Sequence, residues 1–104
     1  MTPFTFETLH LKSTDIYICC FESFSPREYI KYLSTEEALK LEDFKSNSRK
    51  MEFIASRILR HRIVGFDKIE YNEVGAPYIK RRGFISISHT HSMAALAINN
   101  KFQI

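Results

Sequence analysis

Tryptophan is missing from this 104-residue chain, glycine and proline occur three times each, and cysteine only twice. So little glycine and proline leaves no linker or low-complexity segment, and no stretch repeats another. No apolar run approaches the ~20 residues that a membrane-spanning helix requires. The stretch Met1-Thr2-Pro3-Phe4-Thr5-Phe6-Glu7 has neither a basic start nor an apolar continuation, so no signal peptide is expected. Cys19 and Cys20 are adjacent, and neighbours on a strand point to opposite faces, so they are not expected to bridge each other. They read as buried free thiols of a reducing compartment, and a cytoplasmic location follows as the expectation.

Several catalytic signatures are also missing. There is no G-x-S-x-G elbow, and Asp15, Asp43 and Asp67 have no triad motif around them. Gly75-Ala76-Pro77 is not a phosphate-binding P-loop, because no G-x-x-x-x-G-K-[ST] is present. His89-x-His91 would place two imidazoles on one side of a strand. Only His10 and His61 remain, however, and zinc takes three or four ligands with a supporting shell. No metal site is expected within the chain.

What is present is globular. The hydrophobic share is 44% and the aromatic share 13%, all Phe and Tyr, which suits one domain over residues 1–104 with a modest core. The net charge of +3 and a pI of about 9.0 favour an anionic partner such as phosphate, nucleic acid or an acidic protein.

Phe4 to Leu11 alternates loosely, and Asp15 to Phe21 is rich in β-branched and aromatic residues, so two strands joined by Lys12-Ser13-Thr14 are expected. The unbroken apolar run Ile16 to Phe21 predicts a strand covered on both faces. Ser25-Pro26-Arg27-Glu28 reads as a capping box opening a short helix that ends near Tyr32-Leu33. Ser34-Thr35-Glu36-Glu37 repeats that signature and predicts a second helix to about Phe44. A long helix is expected from Ser48 to Val64, with Met51, Ile54, Ala55, Ile58, Leu59 and Ile63 as its apolar stripe and Gly65 as its stop. Lys68 to Val74 predicts a strand, Asn72 to Pro77 a turn, and Tyr78-Ile79 the start of another strand. Phe84 to Ser88 and Met93 to Asn99 predict a final hairpin whose polar tip carries Ser88, His89 and Thr90. The fold class is α+β, a sheet packed against one long helix and shorter ones.

Ser and Thr hydroxyls donate to phosphate oxygens, and His89 adds a charge-assisted bond when protonated. An ordinary polar turn, with His89 capping a carbonyl, is the alternative. Arg57, Arg60, Arg62, Lys80, Arg81 and Arg82 could track a nucleic-acid backbone, although the long helix interleaves its cations with a core stripe. A small basic nucleic-acid-binding or non-catalytic interaction domain is therefore the alternative function.

Three segments in order carry a resemblance. They are Leu33-Ser34-x-x-Glu37 leading to Phe44, Arg49-Lys50-x-Glu52-Phe53-Ile54-Ala55-x-Arg57-x-Leu59-Arg60, and Gly75-Ala76-Pro77-Tyr78-Ile79 followed by Ile85-Ser86-Ile87-Ser88-His89-Thr90. Over Leu33 to Asn99 the chain resembles the N-terminal half of a 4'-phosphopantetheinyl transferase of the surfactin-synthetase-activating type, in the holo-acyl-carrier-protein synthase superfamily. Such enzymes move the phosphopantetheine arm of coenzyme A onto a serine of an acyl or peptidyl carrier protein, using magnesium.

The resemblance implies that Gly75, Ala76 and Pro77 line the adenine pocket. It implies that Ser88 and His89, with Thr90 beside them, hold the 3'-phosphate and diphosphate region, and that Lys40 points toward the 3'-phosphate. Ala76 and Glu37 stand where family members carry lysines. The family's G-[IV]-D-x-E and W-x-x-K-E motifs, which supply the magnesium ligands, are not among these 104 residues. Coenzyme A binding without turnover is thus the expectation for the chain alone, with no catalytic residue of its own. A C-terminal half-domain or a second copy is the expected structural partner, drawn by apolar surface left uncovered at the last strand. No membrane partner is expected.

Overall fold

Eight residues, Phe, Thr and Leu with Glu7 and His10 among them, make β1 (Phe4–Leu11), which turns back through Lys12 and Ser13 into β2 (Thr14–Phe21). The computed structural model describes residues 3–65 and 68–99. After β2 the chain leaves the sheet for its helices. These are a 3-10 helix (Pro26–Tyr32), α1 (Thr35–Leu41) and α2 (Asn47–Val64). It returns as β3 (Ile69–Tyr71), β4 (Pro77–Ile79), β5 (Gly83–Thr90) and β6 (Met93–Asn99). The six strands form one antiparallel sheet in the order β1-β2-β6-β5-β4-β3. This is an α+β domain, as the sequence predicts.

β6 lies inside the sheet, bonded to β2 on one side and β5 on the other. Both of its edges are therefore paired. Ala94, Leu96 and Ile98 alternate onto one face and are buried under α2. Cys19 and Phe21 of β2, Ile85 of β5 and Ile79 of β4 join them, and Ala55, Leu59 and Val64 descend from the helix. A second cluster of Leu41, Phe53 and Ile54 holds α1 to the other side of α2, with Tyr29, Leu33, Phe44 and Ile58 around it. The long helix is thus covered on two sides, which is why Phe53 and Ser56 are buried although a single stripe omits them. The Ser56 hydroxyl donates to the Phe53 carbonyl at 2.7 Å, so its burial leaves no orphan.

Local chemistry explains the boundaries. At α1, Ser34 Oγ accepts from the Glu37 amide at 3.1 Å and Glu37 Oε1 accepts from the Ser34 amide at 2.9 Å, the reciprocal capping box that was expected. α1 ends at Leu41, short of Phe44, because the amides of Glu42, Asp43 and Phe44 all close tighter bonds to carbonyls three residues back. The Ser25 box does not form. Ser25 accepts from Glu28 through its backbone carbonyl, and the 3-10 spacing makes the side-chain cap redundant. β3 stops at Tyr71 because Asn72 captures the chain, its side-chain oxygen accepting from the amides of Val74 and Ala76.

The other face of the sheet carries Ile16, Ile18 and Cys20 of β2 and Ala95 and Ala97 of β6. None of them joins either core cluster. The expectation that β2 is covered on both faces is corrected to one covered face among the described residues. Ile54 is fully buried whereas Leu39 on α1 is 62% exposed. Ile54→Ala should cost about 2–5 kcal/mol, and Leu39→Ala less than about 0.5 kcal/mol, read from urea unfolding midpoints.

Candidate functional site

β4 is short, so its pairing with β5 stops at Tyr78 opposite Phe84. Of the preceding Gly75-Ala76-Pro77, the first two close the turn on Asn72 and Pro77 shares a cleft with Ile85 and Ile87 of β5. Gly75 adopts a φ of 84°, in the left-handed region that glycine enters without a Cβ penalty, and its amide donates to the Asn72 carbonyl at 2.9 Å. Pro77, Ile85 and Ile87 form one wall of a cleft of about 200 Å³, with Ile69 and Tyr71 beside them. The opposite wall is α2, through Arg57 and Arg60.

Arg57 is held in an unusual way. Its guanidinium lies 4.8 Å from the centre of the Phe53 ring. Its Nε is buried and makes no hydrogen bond, and the nearest carboxylate oxygen, Glu37 Oε2, is 3.8 Å away. Burial, and then the like charge of Arg60, pull its pKa down, with Glu37 and Tyr71 pushing back. Two cations therefore share one cleft with a single carboxylate near them. That carboxylate is already engaged, since Glu37 Oε1 also accepts from His61 Nε2 at 3.0 Å. The buried Nε is out of an entering anion's reach, so what the cleft offers an anion is the charge of Arg57 and Arg60, the former partly balanced by Glu37 at 3.8 Å.

The three residues of Ser88-His89-Thr90 do not gather at a tip. They are the last residues of β5, paired with Ala95, Ala94 and Met93, and the turn itself is His91-Ser92, with Ser92 at a φ of 67°. Strand alternation separates them. His89 faces α2, where its Nδ1 donates to Glu52 Oε1 at 2.9 Å, leaving Nε2 on a side chain 34% exposed. Ser88 and Thr90 point to the other face of the sheet. The expectation of one convergent polar tip is corrected accordingly. His89 shares the sheet face of Ile85 and Ile87 but does not line their cleft, and Ser88 and Thr90 lie on the other face. Lys40 is exposed on α1 and lines no part of the cleft. Ala76 is half-buried in the turn before Pro77.

Pairing of histidines with carboxylates escaped the sequence reading. His10–Asp15, His61–Glu37 and His89–Glu52 join β1 to β2, α2 to α1 and β5 to α2. The last two link residues 24 and 37 positions apart, beyond any local spacing rule. Other basic residues are committed elsewhere. Arg62 stacks over Phe6 at 4.2 Å, and Arg82 Nη1 donates to the Ile63 carbonyl at 3.0 Å. Burial, with Cys20 adding to it and Arg62 opposing, pushes the Cys19 thiol up to about 11, so it stays protonated and unreactive.

Among the described residues no three His, Cys, Asp or Glu side chains gather as metal ligands. The described residues therefore offer no ligand set for the magnesium that the resemblance implies. No described helix is long and apolar enough to cross a membrane. Two larger clefts lie elsewhere. One of about 430 Å³ separates the 3-10 helix from α1, lined by Arg27, Leu41, Glu42 and Lys50 among others. The other, of about 350 Å³, is an aromatic hollow between Phe4, Phe6, Tyr29 and Tyr32. Neither is lined by Lys40, Gly75, Ala76, Pro77, Ser88, His89 or Thr90. No family model, curated protein or solved structure matches this chain.

Glu37 gives a pH test. Burial raises its pKa, but the Ser34 amide, His61 and Arg57 together outweigh burial and hold it below the usual carboxylate range. A carboxylate depressed in the folded state adds stability above its unfolded pKa and loses it as pH falls through the folded value. Glu37→Gln should therefore lower the urea midpoint at pH 7. The difference from the unsubstituted chain should shrink as the pH falls below about 4.3.

Proposed function

We propose that this chain is the coenzyme A-binding half of a 4'-phosphopantetheinyl transferase, holding the nucleotide end of coenzyme A for transfer of its arm to a carrier-protein serine. The observation that carries the reading is the cleft itself. Pro77, Ile85 and Ile87 face Arg57 and Arg60, from a helix earlier in the chain, across one opening. Tyr71 and Pro77 offer flat surfaces for a purine ring, and the arginines offer donors for its phosphates. His89, held by Glu52, stands two residues beyond Ile87 on the same face of β5, outside the cleft lining. The cleft of about 200 Å³ is smaller than the ~300–1,000 Å³ of a complete ligand pocket, as one wall of a site shared with a further domain would be.

The chemistry assigned to this chain stops at binding and orientation. The carboxylates that would hold magnesium and activate the carrier serine are not gathered among the described residues. A nucleic-acid role is less favoured, because the cations it would need are dispersed. Arg62 is stacked on Phe6 and Arg82 holds the end of α2, so no continuous basic stripe forms from them.

Titration calorimetry of coenzyme A against the chain tests the reading. Binding should be seen and should weaken with Arg60→Ala by about 10- to 100-fold, the worth of a charge-assisted hydrogen bond. Arg57→Lys, which keeps the charge but removes Nε, should weaken it less. Absence of heat at high micromolar coenzyme A would exclude the function proposed.

A further inference from the structure

The face of the sheet opposite α2 is built to be covered. Along its middle, β5 and β6 present only the small side chains Ser86, Ser88, Ala95 and Ala97. Directly beside them, β2 and β1 present the large side chains of Ile16, Ile18 and Leu9. The surface is therefore a shallow valley next to a ridge. A solvated sheet face would carry alternating polar residues instead. The middle rows contain one charge, Glu7, which stands in the same row as Ser88 with Ile18 and Ala95 between them.

We propose that this face binds a second copy of the same chain, sheet on sheet, about a two-fold axis running nearly along the strands between β2 and β6. A rotation about that axis exchanges the two sides of the face. β2 of one copy then lies over β6 of the other, and β1 lies over β5. Ile18 meets the small Ala95 of the second copy and Ile16 meets Ala97, so each ridge enters the opposing valley. The same operation brings Glu7 opposite the Ser88 hydroxyl of the second copy, which can donate to it. The one charge of the middle rows is thereby given a donor, the Ser88 hydroxyl, that is three strands away within its own chain.

The dimensions are sufficient. Four strands of seven or eight residues, at ~3.4 Å per residue and ~4.8 Å apart, cover about 500 Å² on each copy. Two copies bury about 1,000 Å², the lower limit of a specific interface. A dimer with a micromolar dissociation constant is the consequence. Small side chains in the valley also suit the ~10 Å separation of packed sheets. The proposal is independent of whether coenzyme A binds, because the Arg57 cleft opens on the helix side.

Sedimentation equilibrium from about 1 to 500 µM chain should show reversible dimerisation. Ala97→Lys should shift the dissociation constant at least tenfold while leaving the low-concentration thermal unfolding unchanged. The register has its own test, on a Cys20→Ser background. Within one chain the positions of Glu7 and Ser88 are separated by three strand spacings, roughly 14 Å, too far for a disulfide. Glu7→Cys chains and Ser88→Cys chains should each stay uncrosslinked alone and give a covalent dimer when mixed and oxidised. A chain that remains monomeric throughout overturns the proposal, as does assembly only with a different protein. A dimer indifferent to Ala97→Lys, or a mixture that does not crosslink, overturns it equally.

Discussion

The packing of α2 across the middle strands is the constraint on which the rest depends. The helix is buried against β6, β2 and β5 on one side and against α1 and the 3-10 helix on the other. Its two-sided burial fixes the rotation of the helix about its own axis. Once Leu59 and Ala55 face the sheet and Ile54 faces Leu41, Arg57 has one remaining direction, between Phe53, Glu37 and the β4–β5 edge. The position of the candidate site is thus a consequence of core packing, and the buried Nε is where that packing leaves a donor unused.

Glu37 ties the cap of one helix to the cations of another. It closes the α1 capping box, accepts from His61 and stands 3.8 Å from Arg57. A carboxylate with several partners is held more firmly than one in a single surface pair, whose worth is small. It compensates part of the positive charge around the cleft without filling the Arg57 donor.

Much of the element order was legible because local signals were strong. Ser34-x-x-Glu37 names its own cap, Gly65 marks the stop of α2, and the alternation in Phe84–Asn99 gives the final hairpin. Less was legible where tertiary contacts override a local pattern. Asn72 cut β3 short through two side-chain bonds, and Ser25 lost its capping role to a backbone carbonyl. The candidate site was legible only in part for the same reason. Pro77 and His89 were singled out, but Arg57 and Arg60 were indistinguishable from other helix cations until burial separated them from Arg62. The Glu52 partner of His89 is 37 residues away and gives no local signal.

The alternation of β5 divides a motif that reads as one unit in the sequence. Ser88 and His89 are neighbours, yet a strand sends them to opposite faces, toward a valley of alanines in one case and toward α2 in the other. Had these residues lain in a loop, they could have converged on one ligand. In a paired strand their side chains cannot, because convergence would require breaking the bonds of β5 to β6 in the centre of the sheet. The two faces therefore differ in chemistry. The helix side sets two arginines opposite Tyr71 and Pro77. The far side is broad, nearly free of charge and uncovered by any described element, which suits an extended protein surface.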